Sequence, residues 1–192
     1  MCRRILSASV SGIPLTEFQF HPVINILSGA DAEDLVLTLA GIWGGMPPLN
    51  GKAEIQWDAD AFLSVHIIDG ACGVEKASTL SGSAAQLVKE FHKQRFLNFR
   101  NCRHIWDGSR LPAGISGANA LLLTKLSDAL ANEDGLPLFV CNFLERLDEA
   151  IDLRPIIEAL NATGRQIFIA VPHYYEIKIL EEMPYDAAIH IL

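Results

Sequence analysis

The sequence predicts an α/β domain in which a mixed, largely parallel sheet is flanked by helices, with an antiparallel β portion at its N-terminal end. Three observations carry that expectation. The last third of the chain alternates short apolar runs with helical patterns, and such alternation builds a parallel sheet with covering helices. The first third consists mostly of short β-rich segments separated by turn residues. The 192 residues, 50% of them apolar and without an internal repeat or linker, suffice for one sizeable core, so a single domain over residues 1–192 is expected.

In chain order, "RRILSASV", "LTEFQF" and "VINIL" read as strands, with Gly12-Ile13-Pro14 and His21-Pro22 as turns between them. A helix is expected from about Asp31 to Ile42. The segments "KAEIQW" and "AFLSVHII" flank Asp58-Ala59-Asp60, a hairpin signal. From Ser83 to about Phe99 the spacing of apolar residues is helical. "GISGANALLLTKLSDALANEDG" gives a further helix, with Ser116 or Gly117 before its start and Gly135 after its end. "LPLFVC", "QIFIAV" and "AAIHIL" then read as strands, separated by helices in "EAIDLRPIIEALNATG", closed by Gly164, and in "YYEIKILEEM".

Composition narrows the function classes. Apolar runs such as "DLVLTLAGIWGGMPPL" are broken by Gly and Pro well short of the roughly 20 residues that span a bilayer, so no membrane insertion is expected. The opening "MCRRILSASVSGIPL" fits a strand better than a signal peptide, which makes a cytoplasmic location the expectation. Cys2, Cys72, Cys102 and Cys141 form no C-x-x-C pair and read as reduced thiols. A net charge of −8 argues against nucleic acid binding by the whole surface, although a local basic patch survives within it.

Taken in order, these segments resemble the nucleotide-binding domain of the ABC and SMC-like ATPases, the group that includes RecF-type ATPases. "FQFHPVINILSG" is similar to the lead-in to the phosphate loop of that family, and Gly29, Ala30, Asp31, Ala32, Glu33 and Asp34 stand where the loop would follow. Ile115-Ser116-Gly117-Ala118-Asn119 resembles the signature segment, with Ser116, Gly117 and Asn119 as its matching residues. Leu147 and Asp148 match the Leu-Asp turn after the acidic strand, and His173 matches the switch histidine. The resemblance implies a P-loop NTPase-like, ABC/SMC head-like fold, with a helical-lobe-like segment at about 82–112.

The departures from the family pattern shape the expected function. Phosphate loops use G-x-x-x-x-G-K-[ST], where backbone N–H groups wrap the phosphates, lysine reaches the terminal ones and the hydroxyl binds magnesium. Without a gap, Leu35 and Val36 stand at the lysine and hydroxyl positions. Asp31, Glu33 and Asp34 place three carboxylates at the helix start, where they would cap the helix and repel a triphosphate. The magnesium-binding Asp and catalytic Glu of the family align with Cys141 and Asn142, which can neither bind magnesium as a hard ligand nor accept a proton from water. Together these losses imply a pseudo-ATPase: a catalytically inactive protein with a regulatory or structural partner role, without a bound cofactor. Two alternatives stay open. One is a divergent head that binds ATP and magnesium and is active only with a partner subunit; the other is a DNA-associated accessory module. A protein partner or a homodimer is expected in either case.

The DNA reading rests on "KEFHKQRFLNFRNCRHIWDGSR", where Lys89, Lys93, Arg95, Arg100 and Arg103 are interleaved with Phe91, Phe96, Phe99 and Trp106. Cations neutralise phosphates and rings stack on bases. The same pattern also describes an amphipathic helix whose aromatics face the core while its cations stay solvated. Cys102 and His104, with His92 nearby, have no second ligand pair, so no metal site is expected. Cys141 reads as an inert buried thiol. His173 is read either as a switch residue or as the start of a helix, and Ser116 lacks a nucleophile-elbow context.

Overall fold

The computed structural model describes residues 3–13, 17–101, 105–107, 135–141, 160–171 and 187–192. In chain order these form β1 (Arg4–Val10), β2 (Phe18–Gln19), β3 (Ile24–Ser28), α1 (Ala32–Trp43), β4 (Gly51–Asp58), β5 (Ala61–Ile68), β6 (Ala71–Thr79), α2 (Ala84–Asn101), β7 (Ile105–Asp107), β8 (Leu138–Cys141), β9 (Ile167–Val171) and β10 (Ala187–Ile191). The strands lie in two sheets. One has the order β2-β1-β4-β5-β6 and is antiparallel throughout; the other has the order β10-β3-β9-β8-β7 and is parallel throughout.

Side-chain patterning explains the division. In β4 and β5 burial alternates, so that Ala53, Ile55, Trp57, Ala61, Leu63, Val65 and Ile67 face the core while Lys52, Glu54 and Phe62 face outward. That is the signature of an antiparallel sheet with one wet face. In contrast, every residue of β3, β8 and β9 is buried, as continuous apolar strands covered on both faces must be. Helix α1 packs on β3, β8 and β9. A continuous buried cluster runs from the inward face of the antiparallel sheet through Leu35, Leu39 and Ile42 of α1 to Phe139 and Phe168 of the parallel sheet. Each such fully buried aliphatic side chain contributes about 1.5–3 kcal/mol.

These findings correct the expected fold class. The P-loop NTPase-like, ABC/SMC head-like architecture, a single mixed sheet flanked by helices, is not what the described residues build: the antiparallel and parallel strands belong to separate sheets. Connection length is the reason. Tight turns join β4 to β5 and β5 to β6, and two-residue loops force antiparallel neighbours, whereas parallel neighbours need long crossovers. β1 pairs with β2 and β4 and never with a strand of the parallel sheet.

A side chain makes the join instead. Gln166 is buried to 1% exposure just before β9. Its Oε1 accepts the Ile5 N–H at 2.7 Å, and its Nε2 donates to the carbonyls of Ile5 and His21, both at 2.9 Å. The amide thus continues the hydrogen-bonded edge of β1 beyond the two residues of β2, next to the irregularity between Ile5 and Ser7. Asn25 of β3 works alongside it. Its Oδ1 accepts the His21 N–H at 2.7 Å and its Nδ2 donates to the His21 carbonyl at 2.8 Å.

Two strands lie where the sequence reading placed none. β6 follows Asp69-Gly70, whose φ values of 49° and 77° both fall in the left-handed region that a two-residue hairpin turn requires. β7 lies inside the basic segment and forms an edge of the parallel sheet. Of the helix expected to end at Gly164, the described part is residues 160–162, and Gly164 follows with φ 63°, as a closing glycine should.

Candidate functional site

The residues of interest fall at two places, the turn between β3 and α1, and the helix α2. Gly29, Ala30 and Asp31 alone separate Ser28, the end of β3, from Ala32, the start of α1. A phosphate loop needs a run of roughly eight residues with its amides turned inward to the ligand. Here three amides are bonded within the chain. Gly29 N–H donates to Val171 at 3.3 Å, Ala32 N–H to Gly29 at 3.2 Å and Leu35 N–H to Asp31 at 3.0 Å.

Leu192 lies across this turn. Its N–H donates to the Ser28 carbonyl at 2.8 Å, and its carbonyl oxygen sits 2.9 Å from where a Cβ on Gly29 would stand. Gly29 adopts φ 132°, so both conformation and space call for glycine here. Leu35 and Val36 are both 0% exposed, anchoring α1 in the core. A lysine and a hydroxyl at those positions would point into apolar packing, not toward a phosphate.

The expected self-capping by Asp31 needs a correction. Asp31 is the N-cap residue, but with φ −95° and ψ 5° its side chain makes no capping hydrogen bond. Capping geometry requires an extended backbone, which Asp31 does not have. Glu33 and Asp34 do occupy the first turn of α1, where their charge opposes the helix dipole favourably.

At the other end of α1, the free carbonyls are met by α2. Arg95 Nε donates to the Ile42 carbonyl at 2.8 Å and Nη2 to that of Gly41 at 3.2 Å, while Asn98 Nδ2 donates to Trp43 at 3.2 Å. Nη1 of Arg95 reaches the Cys72 carbonyl on β6 at 3.1 Å. A guanidinium at a helix C-terminus satisfies acceptors that the helix cannot and complements its negative end. α1 carries no basic residue in its own last turn, so α2 supplies the missing cation.

The basic segment is therefore divided in role. Arg95 is a structural clamp, and Phe91 is 0% exposed with its ring edge-on to Trp57 at 6.0 Å. Trp57 in turn stacks on Trp43 at 6.2 Å, with the Arg3 guanidinium 4.0 Å from the Trp57 ring. Lys89, His92, Lys93 and Phe96 are exposed. Arg100 lies on the final part of α2, with its side chain outside the described residues, as is Arg103. Ser116, Gly117, Asn119, Asn142, Asp148 and His173 also lie outside the described residues. Cys141 is buried at the end of β8 within the core cluster.

Beside Arg95, a groove of about 340 Å³ opens between Met46, the Gly70 turn and the exposed side of α2, with Cys72, His92 and Phe96 also in its walls. Burial pushes the Cys72 thiol up from its ordinary pKa, with the Arg95 charge pulling weakly the other way. A thiol held protonated is a poor nucleophile. Among the described residues no group of three or more His, Cys, Asp or Glu is placed to hold a metal ion. No described helix is long and apolar enough to cross a membrane.

Sequence reasoning missed the clamp and the join. Arg95 and Asn98 follow Leu87 and Phe91 at helical spacing on the stripe that faces the core, and that spacing was the available signal. Gln166 had none, because a polar residue before an apolar strand reads equally well as a turn. Comparison with protein-family models, with curated proteins and with solved structures finds no match to this chain.

Proposed function

We propose that this protein does not turn over nucleotide and serves as a structural or regulatory partner of another protein, a pseudo-ATPase in the sense of its sequence resemblance. The observation that carries the reading is the closed turn between β3 and α1. The turn is only three residues long, the amides of Gly29 and Ala32 bond within the chain, Leu192 fills the space over Gly29, and the neighbouring carboxylates of Asp31, Glu33 and Asp34 repel phosphate. Loss of a phosphate cradle together with its lysine removes most of the electrostatic stabilisation on which phosphoryl transfer depends. A cytoplasmic location belongs to the same reading.

Thermal unfolding with and without millimolar ATP and magnesium tests it. A ligand that binds the folded state raises its stability by mass action. No shift in Tm is the expected result. A dose-dependent rise would overturn the reading and favour a divergent ATP-binding head that needs a partner to become active. The DNA-associated alternative is weakened by Arg95, whose donors are spent on three backbone carbonyls.

A further inference from the structure

The groove beside Arg95 brings exposed apolar side chains to a concave site. Its rim carries two large apolar side chains that stand out in solvent, Met46 at 78% exposure and Phe96 at 64%. An exposed pair of this size at the mouth of a concave site is characteristic of binding surfaces rather than of ordinary protein exterior. Methionine suits such a role, since its flexible thioether adapts to different apolar partners.

Charge defines what fits. At about 100° per residue, His92, Phe96, Lys89 and Lys93 fall within an arc of roughly 100° on the exposed side of α2. Two ammonium groups therefore stand beside Phe96 on the side of the rim away from Arg95, and neither is ion-paired among the described residues. Of the acids closest in sequence, Glu90 accepts a hydrogen bond from Gln86 at 3.1 Å and lies about 60° beyond Lys93 around the helix, on the side away from His92 and Phe96, and Asp69 stands at the turn before Gly70. On a chain of net charge −8, this is a local cationic edge beside an apolar groove. Its electrostatic complement is an acidic segment bearing an apolar side chain.

We propose that this groove docks an acidic peptide segment of a partner protein, anchored by an apolar side chain between Met46 and Phe96 and steered by Lys89 and Lys93. This inference rests on the partner role proposed above and gives that partner its chemistry. A volume of about 340 Å³ accommodates one or two side chains, so the recognised element is a short linear segment. The guanidinium of Arg95 forms the floor, fixed in place by its three carbonyl acceptors.

Selection from a display library of short random peptides tests the proposal, with counter-selection against the Lys89→Glu/Lys93→Glu double variant. The selected peptides, fluorescently labelled, are then measured by anisotropy. Expected are sequences rich in Asp and Glu around Leu, Phe or Met. Their affinity should fall about tenfold or more in the double variant and in Phe96→Ala, and should weaken as salt is raised. All three positions are exposed, and circular dichroism confirms that the variants fold. Four outcomes overturn the proposal: no enrichment of acidic peptides; binding unchanged in the variants; a dimer of this chain broken by the same substitutions, which would make a second copy the occupant; or a single-stranded oligonucleotide bound in preference and lost in the same variants. None of these bears on nucleotide turnover, which the thermal shift with ATP decides separately.

Discussion

Arg95 Nε lies 2.8 Å from the carbonyl oxygen of Ile42, and this bond ties a residue of α2 to the last turn of α1 across 53 positions of sequence. With its other two bonds, to Gly41 and Cys72, the guanidinium links α1, α2 and β6 at one point. Replacing Arg95 with alanine leaves these carbonyls to be met by water, and should destabilise the fold by about 2–3 kcal/mol. Lysine offers one point charge in place of a planar fork, so Arg95→Lys should recover less than half of the loss. Urea unfolding of the two variants measures both.

Gln166 carries the second prediction. Gln166→Leu keeps the volume but removes an acceptor from the Ile5 N–H and a donor from the carbonyls of Ile5 and His21. The expected cost is about 3 kcal/mol, since buried backbone groups lose their partners. Amide exchange at Ile5 should accelerate more than exchange in β5, which the substitution does not touch. Equal acceleration in both would mean that the amide does not join the sheets locally.

A pair of glycine substitutions separates space from conformation. Gly12 and Gly29 both have positive φ, 90° and 132°, but a Cβ on Gly12 meets nothing within 4 Å, whereas one on Gly29 meets Leu192. Gly12→Ala should cost about 1 kcal/mol for conformation alone, and Gly29→Ala more, about 2–3 kcal/mol. Differential scanning calorimetry of the two variants shows whether the contact with Leu192 is tight.

His190 makes stability depend on pH. It sits on β10 with its ring edge-on to Phe18 and Phe20, at 6.0 and 5.5 Å, and its buried Nε2 has no hydrogen-bond partner. Burial lowers its pKa in the folded protein. The unfolded chain therefore binds the proton more readily, so this contribution is complete above the unfolded value of about 6.5 and is lost as pH falls through the folded pKa. His190→Phe should flatten the acid side of the stability profile relative to the native chain. The difference between the two profiles isolates this imidazole from the other five histidines.

Much of the secondary structure was legible because it follows period. Strict alternation in "KAEIQW" and "AFLSVHII" marked β4 and β5, and the apolar stripe of "AEDLVLTLAGIW" marked α1. β6 escaped because a register shift between Ser64 and Val65 breaks the alternation opposite it, although Asp69-Gly70 announced the turn. The division into two sheets was not legible at all. It depends on which strands become neighbours, which the connection lengths decide, and the Gln166 amide that links β1 to the parallel sheet leaves no local mark in the sequence.

The candidate sites divide in the same way. The missing lysine at Leu35 was plain from the residues, and its burial agrees with what an apolar residue on a helical stripe must do. That Leu192 would close the same turn could not be read, because nothing local connects residues 29 and 192. Lys89 and Arg95 look alike in sequence. Their roles separate once the helix is placed, because one faces solvent and the other the end of α1.

The position of β3 in the parallel sheet imposes an order on biosynthesis. All five of its residues are buried, and its two neighbours are β9 and β10, from the far end of the chain. The antiparallel sheet needs nothing beyond Thr79 and can pair while the ribosome is still at work; β3, translated before most of it, cannot. Until Ile167 to Ile191 have emerged, an apolar strand waits with both hydrogen-bonding edges open, the condition that favours wrong pairing with other nascent chains. Slowed translation of the last third should therefore lower the yield of soluble protein more than slowed translation of the first.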